Sequence, residues 1–168
     1  MKNILTWSTA ILGILLVSAC ATIPQKTSPD DCLVVIKVRS SNPEHLKWAR
    51  QYRLEFTPAY PGLNVPNNER DVVFVVKEPS VLISKITSRI TEGGAVGPMT
   101  EHNVKVDLPY APGGVVVADF VIVRRLESAG AYSFREFFDF APTTDDDRAQ
   151  ALAVLKANPA FAAWSAEP

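Results

Sequence analysis

Few residues of the chain stand where chemistry would need them. There are two histidines, His45 and His102, far apart in sequence and each in polar surroundings. A mononuclear zinc centre draws three or four ligands from His, Cys, Asp and Glu, and neither histidine has a second at ligand spacing. Surface positions account for both. The run Asp145-Asp146-Asp147 offers the carboxylate oxygens that calcium favours. Consecutive helical positions point in different directions, however, and acids at the positive end of a helix need no ion. No Gly-x-Ser-x-Gly elbow is present. Gly93-Gly94 and Gly113-Gly114 lie between strand patterns, not ahead of a helix where they would cradle a phosphate. The sequence therefore assigns no catalytic residue, no metal ligand and no cofactor. Asp119 is the oddest residue, because it interrupts Val115, Val117, Val121 and Val123 within an apolar run. A lone buried carboxylate is costly and has its pKa raised. Asp119 is thus either a functional acid, paired with Arg124 or Arg125, or the mark of a bulge that turns its side chain outward.

The first twenty residues hold Lys2, a mostly apolar run from Ile4 to Val17, and the small residues Ser18 and Ala19 before Cys20. A charged start, a short apolar core and small residues before a cut describe a secretory signal peptide. The run is shorter than the roughly 20 residues a spanning helix needs, and Thr6, Ser8, Thr9 and Gly13 interrupt it. Val17-Ser18-Ala19-Cys20 resembles the lipobox of bacterial lipoproteins. The resemblance implies that the Cys20 thiol receives a diacylglycerol, that a dedicated peptidase cuts before it, and that the new amino group is acylated. Ala21 stands where an aspartate would imply inner-membrane retention, so the resemblance implies the outer membrane. One acyl chain binds a bilayer only marginally, and two or three hold durably.

Removing residues 1–19, which hold one of the 17 basic residues and none of the 18 acids, leaves a formal charge of −2. No strongly basic stretch appears, which excludes the usual nucleic-acid footprint. Residues 20–31 form a lipidated cysteine and a polar, proline-containing tether with little to bury. Residues 32–168 suit one domain. With Cys20 lipidated, Cys32 is left alone, and its place before Leu33-Val34-Val35-Ile36 reads as a buried thiol at the start of a strand.

From Cys32 onward the dominant period is two, the signature of strands with one face in a core. Val34, Ile36 and Val38 share one parity. So do Tyr52, Leu54 and Phe56, then Val104, Val106 and Leu108, then Tyr132, Phe134, Phe138 and Phe140. The runs 71–76 and 115–123 are apolar on both parities and read as central strands covered on both faces. A further strand from Val81 to Ile90 brings the expectation to about seven. Pro58–Asn68, Gly93–Pro98 and Ala111–Gly114 supply turn chemistry. Asn42-Pro43-Glu44 is a helix start, expected to give one turn that leads into a strand near Arg50, although the shared parity of Leu46, Trp48, Tyr52, Leu54 and Phe56 offers a longer strand from about 46 as the alternative. A helix over 144–157 is expected from the capping Thr144, the first-turn acids and the alanine-rich run that Asn158-Pro159 ends. Phe161 and Trp164, three apart, are spaced to dock a last helical turn on the sheets.

The expected fold is all-β: an antiparallel β-sandwich of about seven strands, immunoglobulin-like, with a C-terminal helix. Sandwiches carry function on end loops, which singles out Tyr60, Pro61 and Leu63 in one loop, and Met99 in a long glycine-containing loop over 91–103. The expected function is a non-enzymatic binding or protein-interaction module, held to a bilayer through Cys20 and contacting an envelope protein or surface ligand. An anchored envelope enzyme would require Asp119, His45 or His102 to converge with other polar groups in one pocket. An accessory subunit of a secretion, adhesion or assembly complex would depend on its envelope neighbours for stability.

Overall fold

Valine-rich runs become strands and the alanine-rich run becomes a helix. A computed structural model describes residues 22–41, 49–65, 71–92, 95–130 and 133–165. Its strands are β1 (Cys32–Ser40), β2 (Ala49–Thr57), β3 (Leu63–Val65), β4 (Asp71–Val76), β5 (Leu82–Glu92), β6 (Ala95–Asp107), β7 (Val115–Gly130) and β8 (Ser133–Pro142). Helix α1 (Asp145–Lys156), a 3-10 turn (Pro159–Phe161) and the short α2 (Ala162–Ser165) complete the chain. The strands form two four-stranded sheets, ordered β4-β1-β7-β8 and β3-β2-β5-β6. The signal segment, Cys20 and the helical turn expected at Asn42 lie outside the described residues.

The described residues hold eight strands, not seven. The addition is β3, three residues that pair with β2 within a stretch whose prolines read as loop. The long loop expected over 91–103 is mostly strand as well, since β5 runs to Glu92 and β6 starts at Ala95. Pro98 is tolerated there because β6 is an edge strand, where a missing N–H costs little. The register shifts between Arg89 and Thr91, opposite Gly97 and Pro98. Pairing is antiparallel throughout except between β1 and β7, which run parallel. A parallel pair needs a long crossover rather than a hairpin, and here the whole second sheet intervenes in sequence.

Strand β1 departs most from its sequence reading. Its alternation suggested one wet face, yet Cys32 to Ile36 are all 0% exposed. Val34, Ile36 and Val38 meet Leu54, Ile83 and Ile86 of the other sheet in the larger core. Leu33 and Val35 face the opposite way, into a second core with Ala151, Leu155, Phe161 and Trp164. Strand β7 is central, as its two-sided apolar run implies, whereas β4 is an edge strand with β1 as its neighbour. The apolar residues of β4 are still used on both faces, Val72 and Phe74 in the larger core and Val73 in the second.

Helix α1 starts as its sequence directs. Thr144 caps it, accepting from the Asp147 N–H at 3.2 Å, while the Asp147 carboxylate accepts from the Thr144 N–H at 3.0 Å and its hydroxyl at 2.8 Å. The same carboxylate, 1% exposed, pairs with Arg39 and lies 4.0 Å from Lys37, which ties the helix to β1.

The segment read as a tether is packed against the domain from Ile23 onward. Ile23 is 6% exposed within the second core, and the Trp164 Nε1–H donates to the Pro24 carbonyl at 2.9 Å. Lys26 donates to the Gly113 carbonyl at 3.0 Å. Gly113 has a φ of +73°, which favours glycine, and a Cβ there would lie 2.8 Å from the Pro29 carbonyl. Asp31, 1% exposed, accepts from the Thr27 N–H, the Thr27 hydroxyl and the Ser28 N–H at 2.7, 2.8 and 2.9 Å. Polar composition concealed a segment whose polar groups find partners both within it and on distant parts of the domain, and whose one isoleucine is buried.

These contacts make stability acid-sensitive. Hydrogen bonds from the Thr144 backbone and side chain, opposed by burial and helped by Arg39 and Lys37, hold the Asp147 carboxyl below its ordinary value. Burial pushes Asp31 up, but hydrogen bonds from Thr27 and Ser28 and the charge of Lys77 outweigh it and lower the pKa. Both carboxyls add stability above their unfolded pKa and lose it as pH falls through the folded one. Asp71, raised chiefly by burial, acts in the opposite sense, its contribution present at low pH and lost as pH rises through its folded value. Thermal melts should show stability falling between about pH 5 and pH 2. Asp147→Asn should be less stable at neutral pH and should flatten that slope; an unaltered slope would remove Asp147 as the acid-sensitive anchor.

Candidate functional site

Strands β3 and β4 are edges of different sheets, and the gap between them is a cavity of about 370 Å³. That lies within the ~300–1,000 Å³ range of small-ligand pockets. After β2 the chain turns at Pro58 and returns as β3, which places Tyr60, Pro61 and Leu63 in the cavity lining. The cavity reaches inward to Phe56, Phe74, Val76 and Val81, with Pro24 contributing from the N-terminal segment. The Phe56 and Phe74 rings lie 5.3 Å apart between centroids. Both sheets thus supply aromatic rings to one apolar hollow.

Polar groups gather around Tyr60. Its hydroxyl accepts from the Lys77 N–H at 3.3 Å and donates to Glu78 Oε1 at 3.3 Å. Burial raises the Tyr60 pKa; the Lys77 N–H opposes this, and the Glu78 carboxylate adds to it. The phenol therefore stays protonated at neutral pH and remains able to donate. The Lys77 ammonium lies 3.5 Å from the Thr27 hydroxyl. A peptide group or a sugar hydroxyl placed deep among the phenylalanines and valines would lose water without gaining a partner. The cavity suits an apolar group with its polar end outside.

Three of the four loop residues singled out from sequence meet here. Met99 does not, since it lies 53% exposed on β6, the far edge of the sheet that carries β3. Asp119 is exposed and sits at a bulge. Val117 pairs with Val35 and Val121 with Lys37, so three residues of β7 oppose Ile36 alone. Two extra residues preserve parity, which keeps Ala118, Phe120 and Ile122 in the core while Asp119 turns outward. Thr143 secures the bulge, its hydroxyl donating to the Ala118 carbonyl at 2.7 Å and its N–H to the Asp119 carbonyl at 2.9 Å.

Neither arginine considered as a partner for Asp119 pairs with it. Arg124 bonds Glu136, and Arg125 pairs with Asp139 and Glu127. His102 is half-buried, its ring edge-on to Phe138 at 5.0 Å, and His45 lies outside the described residues. Asp145 and Asp146 are exposed beside the capping Asp147. No group of three or more His, Cys, Asp or Glu lies together as metal ligands among the described residues. Cys32 is buried, its thiol pKa raised by burial against an Ala111 N–H donated to Sγ at 3.3 Å. No protein-family model, curated protein or solved structure matches the chain.

Sequence reading missed the cavity's inner wall, because Phe56 and Phe74 look like any core residues and no local pattern announces a gap between two edge strands. It also missed a buried ion pair. Arg124 Nε donates to Glu136 Oε1 at 2.8 Å, with the side chains 3% and 5% exposed. The guanidinium lies 4.6 Å from the Tyr52 ring centroid, and Tyr52 meets Phe138 edge-on at 5.4 Å. Parity carried the signal: Arg124 shares the inward parity of Phe120 and Ile122, and Glu136 that of Phe138 and Phe140. Removing one partner of such a pair leaves an uncompensated charge. Glu136→Ala should therefore cost about 3–5 kcal/mol in chemical denaturation. The double variant Arg124→Met, Glu136→Leu should cost far less, and equal losses would show that the pair is not the source.

Proposed function

We propose that the chain is a bacterial envelope lipoprotein, acylated on Cys20, whose domain is a non-enzymatic binding or protein-interaction module. The cavity behind Tyr60, Pro61 and Leu63 is its binding site. One observation carries the reading: the loop that sequence marks for recognition lies over an apolar hollow bounded by both sheets. The anchor rests on Lys2, the apolar run from Ile4 to Val17 and the lipobox-like Val17-Ser18-Ala19-Cys20, and Ala21 favours the outer membrane. The partner is an envelope component that presents an apolar group to the cavity.

The reading includes the finer form of the fold. Two four-stranded sheets whose inward side chains share one core support a β-sandwich of immunoglobulin-like shape. An enzymatic role would need Asp119, His45 or His102 to converge with other polar groups in one pocket; Asp119 faces solvent on β7, His102 lies against Phe138, and neither lines the cavity.

Metabolic labelling with radioactive palmitate, followed by membrane fractionation, tests the anchor. Wild type should carry label in the outer-membrane fraction, and Cys20→Ala should lose both label and fraction. Cross-linking in intact cells should then recover a discrete partner with wild type and none with Cys20→Ala. Label retained by the variant, or an unlabelled wild type, would sink the lipoprotein reading.

A further inference from the structure

The cavity and the proposed anchor lie close along the chain. Pro24 lines the cavity and is held in place by Trp164. Cys20 is four residues upstream, so an extended chain separates their Cα atoms by at most about 14 Å. Because the segment from Ile23 onward is packed onto the domain, most of the expected tether adds no reach. Acylation of Cys20 would place the cavity at the bilayer surface, within reach of lipids rather than of distant soluble ligands.

We infer that the cavity takes an acyl chain of an anionic phospholipid from the membrane that holds Cys20, with the lipid phosphate beside Lys77. The inference rests on the lipoprotein reading above and names the ligand of the same site. The walls, built from Phe56, Leu63, Phe74, Val76 and Val81, suit a chain with no polar atoms along its length. A peptide strand laid among them would bring backbone groups that find no partner. Lys77 follows the lining residue Val76 directly, is exposed, and supplies the charge an anionic headgroup needs. Glu78, the acid beside it, is engaged by the Tyr60 hydroxyl. Tyr60 itself, an amphipathic ring with its hydroxyl among these charges, is of the type enriched where membrane meets water.

Lipidated full-length protein, purified and reconstituted into phosphatidylglycerol–phosphatidylcholine vesicles, tests this. The vesicles carry a trace of phosphatidylglycerol with a diazirine on its acyl chain; after irradiation, adducts are mapped by proteolysis and mass spectrometry. Adducts are expected on the peptides that span Phe56–Leu63 and Phe74–Val81. Leu63→Trp, which fills the hollow, should reduce them to background, and Lys77→Ala should lower their yield by about fivefold, as expected for one lysine at an anionic surface. Adducts confined to other peptides would overturn the inference, as would full yield in a Leu63→Trp protein with a native circular dichroism spectrum. If Leu63→Trp does not fold, an unchanged yield in the exposed Lys77→Ala variant overturns it independently. Protein labelled metabolically with a diazirine fatty acid separates the sources: adducts from the chain on Cys20, with none from added phosphatidylglycerol, would also overturn it. The same spectra report the mass at Cys20. An unmodified Cys20 with adducts in the cavity would defeat the anchoring reading and leave the ligand standing.

Discussion

The whole architecture depends on drying both faces of β1. Its backbone pairs with β4 on one side and β7 on the other, and Cys32 to Ile36 are without solvent exposure. Full burial of a Val, Leu or Ile side chain contributes about 1.5–3 kcal/mol relative to exposure, so four such neighbours outweigh any single polar contact described here. That gain requires two separate partners. The second sheet must cover Val34 and Ile36, and the C-terminal helices must cover Leu33 and Val35. The ion pairs of Asp147 with Arg39 and Lys37 fasten α1 over that second face. The N-terminal segment then closes over Trp164. The helix is therefore a lid on the first sheet, and the burial of Leu33 and Val35 depends on it.

Much of this was legible in the residues. Inward parity placed Tyr52, Leu54 and Phe56, and also Val104, Val106 and Leu108, on the core side of their strands. Thr144 with Asp147 three residues on marked the helix start as a capping box. Where sequence reading stopped short, the reason was that the deciding partner is distant. Nothing within residues 32–40 says that a helix beginning at Asp145 covers their second face. Nothing within 22–31 says that Trp164 waits for the Pro24 carbonyl. The parallel pairing of β1 with β7 is invisible to hairpin logic for the same reason. Of the candidate site, the rim was legible from turn residues and aromatics, and the hollow behind it was not, because it exists only where two edge strands fail to meet.

Buried charge is handled in two ways. Asp147 and Asp31 lie where backbone and hydroxyl donors converge on one buried carboxylate. Arg124 and Glu136 lie on the inward faces of adjacent strands, with an aromatic ring over the cation. A buried pair of this kind adds little net stability against an apolar replacement, yet it penalises every register that separates the partners. Because a one-residue slip of β8 would send Glu136 outward and strand Arg124 among apolar side chains, the pair fixes how β7 and β8 align.

The parallel ladder between β1 and β7 also fixes the order in which the molecule can be finished. Leu33 pairs with Val115 and Val38 with Ile122, so the first strand made waits for one of the last. Pairings so distant along a chain fold slowly, because the entropy of closing the loop is lost before the contacts repay it. Throughout that interval Leu33-Val34-Val35-Ile36, even once paired with β4, keeps an open edge on its β7 side, and an apolar β-forming stretch with an open edge is the kind of segment that seeds aggregation. Translation from the N-terminus cannot close that edge early. The β1–β7 ladder thus leaves the first sheet incomplete until β7 has been made, so a chain still being synthesised lacks its finished core and stays open to handling as an extended polypeptide.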